Sequence, residues 1–136
     1  MGQDFMRRVI FRPYRKGMGP TFTLTMWDAG DRWDGTQRRN YVRYRLTMTE
    51  SKYTPKMRFR RVSTVLFAGD DYSPSPMHSI DGDDAVEGLM GFLTLRPGDT
   101  DPDYFAGYTP EQMAFCEQHA EALSCDAMFR FGKECA

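Results

Sequence analysis

The sequence predicts an α+β domain: an antiparallel sheet of about four strands over residues 8–68, followed by two C-terminal helices packed on one face of it. Three observations predict this. A two-residue alternation dominates the first half of the chain, helical spacing replaces it in the second half, and short turn sequences join the strand segments as consecutive hairpins. The 136 residues match one domain, so 1–136 reads as a single unit with a strand-rich basic half (1–68) and a helical acidic half (77–136).

The first strand, Val9 to Arg15, contains Pro13, which cannot donate to a ladder and so places the strand at a sheet edge. Lys16-Gly17-Met18-Gly19-Pro20 is a tight turn. In the strand Thr21 to Trp27, Phe22, Leu24 and Met26 face one way and Thr21, Thr23, Thr25 and Trp27 the other. A loop is expected from Asp28 to Gln37, turning at Asp34-Gly35. The next strand sets Val42, Tyr44, Leu46 and Met48 against Tyr41, Arg43, Arg45, Thr47 and Thr49. After a turn around Thr54-Pro55, Met57 and Phe59 alternate with Arg58 and Arg60, and the pattern breaks before resuming through Val62 to Phe67. A bulge near Arg61 would explain the break.

Gly69 to Pro76 has turn composition. Asp81 is then a plausible N-cap, Asp83 and Asp84 suit the positive end of a helix dipole, and Val86, Leu89, Met90 and Leu93 fall on one helical stripe. Ala85, Gly88 and Gly91 form a small-residue stripe suited to close approach to the sheet, and Arg96-Pro97-Gly98 ends the helix. Thr109-Pro110-Glu111-Gln112 is a capping box opening a second helix, whose apolar stripe is Met113, Cys116, Ala120 and Leu123. The tail from Asp126, with Met128, Phe129 and Phe131, would dock as a short helix or coil.

Hydrophobic residues at 40% and aromatics at 14% exclude a disordered chain. The apolar run Val9-Ile10-Phe11 is far too short for a signal core or a membrane span. Three cysteines, Cys116, Cys125 and Cys135, without such a leader suggest free thiols in a reducing compartment, and hence a cytoplasmic protein with no membrane partner. The net charge of −1 conceals a division. Residues 1–61 hold 15 Lys+Arg against 5 Asp+Glu, and the remainder 3 against 14. Such a split points to charged partners or to one half screening the other.

Three groups of residues bear chemistry. The outward sheet face, with Trp27, Tyr41, Arg43, Arg45, Arg58 and Arg60, interleaves guanidinium groups with aromatic rings, a surface suited to single-stranded nucleic acid. The acidic residues Asp70, Asp71, Asp83, Asp84, Asp99, Asp101, Asp103, Glu117 and Glu121 would form a face that engages a basic groove on a protein partner. His78, near Asp70, Asp71 and Asp81 in sequence, could belong to an acid-base or metal cluster, though a hydrogen-bonding loop histidine is the commoner case. Cys116 with His119, and Cys125 or Cys135 behind them, could make a zinc or thiol site, though a buried small thiol is the simpler reading of Cys116. The set lacks paired C-x-x-C spacing. Asp99-Thr100-Asp101-Pro102-Asp103 begins like a calcium loop but has Tyr104 where glycine is required and Pro110 in place of the bidentate glutamate. No cofactor and no metal are assigned, and no Walker, dinucleotide-binding, G-x-S-x-G or H-E-x-x-H motif occurs.

The stretch Gly91-Phe92-Leu93-Thr94-Leu95-Arg96-Pro97-Gly98-Asp99-Thr100-Asp101, continuing through Tyr104-Phe105 to Tyr108-Thr109-Pro110-Glu111-Gln112, resembles a segment of small uncharacterised proteins encoded by bacteriophages and mobile elements. The resemblance covers residues 65 to 124 and carries no known activity or site residues. It implies a bacterial host cytoplasm, where small accessory proteins bind and block host components, defence nucleases among them. The leading expectation is therefore a non-catalytic interaction protein that binds a host or defence protein through its acidic face. A nucleic-acid-binding module using the basic sheet face is the alternative, and a small metal- or thiol-dependent enzyme ranks behind both. A homodimer in which the two halves meet is also compatible with the charge division.

Overall fold

The computed structural model describes residues 6–33, 35–53, 59–72 and 83–130. Four antiparallel strands, β1 (Met6–Phe11), β2 (Thr21–Trp33), β3 (Arg38–Tyr53) and β4 (Phe59–Tyr72), form a meander in the order β1-β2-β3-β4. Three helices follow, α1 (Asp83–Leu93), α2 (Pro110–Gln118) and α3 (Ala120–Arg130), with a 3-10 turn at Pro102–Phe105 before α2. The α+β class and the antiparallel sheet stand as expected and β1 lies at an edge, but β1 spans Met6–Phe11 and ends before Pro13 instead of running from Val9 to Arg15.

The register fixes the two faces. Val9 pairs with Leu24 and Leu24 with Leu46; Phe11 pairs with Phe22 and Phe22 with Met48. Directly opposed residues share a face, so these side chains point together toward the helices. Phe11, Phe22, Leu24, Met26 and Leu46 are fully buried there, covered by Val86, Met90 and Leu93 of α1, Phe115 of α2 and Leu123 of α3. Phe115 is the keystone, meeting Phe22 at 5.6 Å and Phe67 at 5.8 Å between ring centroids, both edge-on. Such aromatic pairs add about 0.5–1.5 kcal/mol beyond their burial.

The structure corrects the sequence reading in five further places. The loop expected at 28–37 is mostly strand, because a bulge at Ala29 absorbs the break in alternation. Gly30 adopts φ +84° there, and its N–H donates to Asp28 Oδ1 at 2.8 Å. The bulge expected near Arg61 lies instead at Leu66, where the register steps from Leu46–Phe67 to Thr47–Val65. Leu66 and Phe67 both turn toward the helices, Leu66 buried and Phe67 against Phe115. The turn expected from Gly69 is still strand as far as Tyr72.

Gly88 and Gly91 do not approach the sheet; both are exposed, with open space where a Cβ would sit. The second helix is divided at His119, whose φ of −128° ends α2, while the His119 carbonyl accepts from Leu123 N–H at 3.0 Å. Turn chemistry is decisive at Gly19, where a Cβ would meet the Tyr14 ring at 2.4 Å. The expected Thr54-Pro55 turn, Met57, and the Asp81 N-cap lie outside the described residues.

The capping box forms as expected. Gln112 N–H donates to Thr109 Oγ1 at 3.1 Å, and Thr109 N–H donates to Gln112 Oε1 at 2.9 Å. Gln112 also uses its amide Nε2 to donate to the Leu66 carbonyl at 2.8 Å. A bulge interrupts the ladder, and here the helix N-terminus supplies a partner for a carbonyl at that interruption.

Candidate nucleic-acid interface

The face opposite the helices carries Met6, Arg8 and Ile10 from β1; Thr21, Thr23, Thr25 and Trp27 from β2; and Tyr41, Arg43, Arg45, Thr47 and Thr49 from β3. From β4 come Asp70, Ala68, Val65, Ser63 and Arg61. Beyond the Ala29 bulge, Gly30 pairs with Tyr41, which brings Arg32 onto the same face. Trp27, Tyr41, Arg43 and Arg45 are thus assembled as the alternation indicated.

Their side chains interlock. The Arg45 guanidinium lies over the Trp27 ring at 5.0 Å from its centroid, and that of Arg32 lies over Tyr41 at 4.8 Å. Asp70 stands opposite Arg43 across β3 and β4. It accepts from Arg43 Nε at 3.0 Å and from Arg32 Nη2 at 2.8 Å. These two arginines hold its carboxyl below the usual carboxylate range, Arg43 contributing most. Among the described side chains of this face, Arg8, Arg32, Arg43, Arg45 and Arg61 are balanced by Asp70 alone.

Two sequence expectations are corrected here. Arg60 pairs with Lys52 on the helix-facing side, and Arg61 takes the outer position opposite Ser51. The Leu66 bulge is the cause, since a one-residue shift exchanges every side chain between faces. Asp70, grouped with the acidic face, belongs to the basic one. Arg58 lies outside the described residues. Arg8 and Arg32 were missed, Arg8 because β1 was begun at Val9 and Arg32 because its segment reads as a loop.

No family model matches this chain, and no curated protein or solved structure does. The site must be read from its own geometry.

The remaining acidic positions lie on β4, at the start of α1, in the connection from α1 to α2, and on α2 and α3. Asp99 accepts from Arg96 Nε at 2.8 Å, and Arg96 also reaches Glu121 at 3.3 Å. Asp101 caps the 3-10 turn by accepting from Asp103 N–H at 3.0 Å. Asp103 and Glu117 are exposed. Asp71 lies on β4, and Asp83 and Asp84 open α1.

Cys116 is buried and free, and burial, with Glu117 as a lesser cause, raises its thiol pKa; that opposes the thiolate a nucleophile needs. His119 lies with Nδ1 2.7 Å from the Tyr14 hydroxyl and its ring edge-on to Tyr14. Burial lowers the His119 pKa, with Glu50 opposing it. The hydrogen bond between the Tyr14 hydroxyl and His119 Nδ1 ties the segment after β1 to the helix junction. Cys125 is disulfide-bonded, which corrects the expectation of three free thiols. Among the described residues, no three His, Cys, Asp or Glu side chains are grouped to hold a metal, and no helix is long and apolar enough to cross a membrane. His78 and Cys135 lie outside the described residues.

Proposed function

We propose that this chain is a non-catalytic binding protein that holds single-stranded nucleic acid on the outer face of its sheet. The observation that carries the reading is the interleaving of Arg45 on Trp27 and Arg32 on Tyr41 beside Arg43. A guanidinium has five N–H donors, so one held over a ring, and even one that gives a donor to Asp70 as Arg32 does, keeps others for phosphate oxygens. Neighbouring strands lie about 4.8 Å apart, so a four-stranded face offers a platform roughly 15 Å wide, suited to one extended strand. Arginine planes and aromatic rings stack unpaired bases without reading their sequence, so the binding is broad in sequence and salt-sensitive.

A second reading places the protein in the phage-like context and has it bind a host or defence protein through its carboxylates. Exposed Asp103 and Glu117, which have no ion-pair partner among the described residues, favour it. Capture from bacterial cytosol with and without nuclease separates the two. The first reading expects captured nucleic acid that disappears on nuclease treatment and on reversal of Arg43 and Arg45 to glutamate. A nuclease-resistant protein partner, lost when Asp103 and Glu117 become lysine, would replace it with the second.

A further inference from the structure

One end of the outer face closes into a cleft of about 570 Å³, bounded by the β1–β2 turn Lys16 to Pro20 and by Thr21, Thr49, Ser51 and Arg61. Its size falls within the range of small-molecule sites. Two observations define its chemistry. Lys16 of the turn and Arg61 of β4 both line it, and neither has an ion-pair partner among the described residues. Three hydroxyl-bearing residues, Thr21, Thr49 and Ser51, line it as well. Thr49 Oγ1 is 3.0 Å from Ser63 Oγ, which fixes its position. Glu50 also borders the cleft, but it pairs with Val62 in the helix-facing register. The turn is held in shape by Met18 N–H donating to the Arg15 carbonyl at 2.9 Å and by Gly17 at φ +82°.

We propose that this cleft is a phosphate monoester site, and that it takes the terminal phosphate of a strand lying on the sheet face. Two cations and several hydroxyl donors suit a doubly charged oxyanion, which accepts more charge-assisted hydrogen bonds than an internal phosphodiester. The cleft is continuous with the arginine face, since Thr21, Thr49 and Arg61 belong to that face by register. An internal phosphate would pass over the sheet; an end would turn into the cleft. The strand-end assignment rests on the proposed function, whereas the phosphate site itself does not.

The test has two arms. In the first, inorganic phosphate is titrated into isotopically labelled protein. Saturable amide shifts at Gly17, Met18, Gly19, Thr49 and Ser51, lost in a Lys16→Gln, Arg61→Gln double variant, are the expected result. Shifts that are absent, or confined to other residues, overturn the site. In the second arm, oligonucleotides of one sequence with a 5′-phosphate, a 3′-phosphate or hydroxyls at both ends are compared by fluorescence anisotropy. One phosphorylated end is expected to bind about tenfold more tightly than the hydroxyl form. The double variant should bring that ratio to about one. Equal binding of all three forms overturns the strand-end assignment. Failure of every oligonucleotide to bind would overturn the proposed function and the strand-end assignment together, while the phosphate arm still decides the cleft.

Discussion

Asp70 and Arg43 face each other across β3 and β4, with Arg43 Nε donating to Asp70 Oδ1 at 3.0 Å, so the basic sheet face carries its own counter-charge. The same carboxylate accepts from Arg32. The division of charge between the halves of the sequence is therefore incomplete in space, because β4 carries one acidic residue back onto the arginine face.

If phosphates compete with Asp70 for these arginines, removing the carboxylate must strengthen binding. Asp70→Asn is expected to raise oligonucleotide affinity several-fold at low salt. Exposed ion pairs contribute only about 0–1 kcal/mol, so the unfolding midpoint should move little. The sign of the pH effect follows from the lowered Asp70 pKa. The pairing is fully present above the ordinary carboxylate range and is lost as pH falls through the folded value. Titration of binding against pH, wild type beside Asp70→Asn, checks both statements.

Trp27 gives Arg45 its orientation, so the ring and the charge should be coupled. Trp27→Ala is expected to lower affinity by about 1–3 kcal/mol, the usual contribution of one stacking aromatic. Arg45→Lys keeps the charge but loses the planar guanidinium over the ring, and should weaken binding in wild type more than in Trp27→Ala. A double-mutant cycle in binding measures this; strictly additive effects would mean that the stack has no role in the complex.

Gln112 serves the helix and the sheet with opposite ends of one amide. Gln112→Glu keeps the oxygen that accepts from Thr109 N–H and removes the donor to the Leu66 carbonyl. Its cost should be about 1–3 kcal/mol, that of leaving a part-buried acceptor unsatisfied. Thr109→Ala, which removes the cap alone, should cost about 1 kcal/mol. Urea denaturation of the two variants reads the difference.

His119 makes stability depend on pH in a definite direction. Burial lowers its folded pKa below the unfolded value, so its neutral form is the one that folding favours. Its contribution is complete above the unfolded value, near 6.5, and is lost as pH falls from there toward the folded value. Denaturant unfolding measured from pH 7.5 to 5 should show this decline, and His119→Gln should flatten it. Tyr14→Phe should cost about 0.5–1.5 kcal/mol at neutral pH, the net worth of the hydrogen bond.

Much of the fold was legible because it rests on local patterns. The alternation of Phe22, Leu24 and Met26, the stripe of Val86, Leu89, Met90 and Leu93, and the Thr109–Gln112 capping box all carry their geometry in their spacing. The bulges at Ala29 and Leu66 were not legible at their positions, because a register shift is decided by the partner strand and, at Leu66, by a bond from Gln112. That one shift explains why Arg60 was misplaced and Arg61 overlooked. In the candidate site, Trp27, Tyr41, Arg43 and Arg45 could be found from alternation within single strands. Asp70, Arg32 and the cleft at Lys16 could not, since each depends on elements distant in sequence.

Salt dependence of binding tests the central claim most directly. A labelled single-stranded oligonucleotide is titrated with wild-type protein and with the Arg43→Glu, Arg45→Glu variant across a series of salt concentrations. The account predicts that log K falls linearly with log salt, by roughly 0.7 for each phosphate contacted, and that the variant does not bind. No binding by wild type at low salt, or equal binding by the variant, would contradict it.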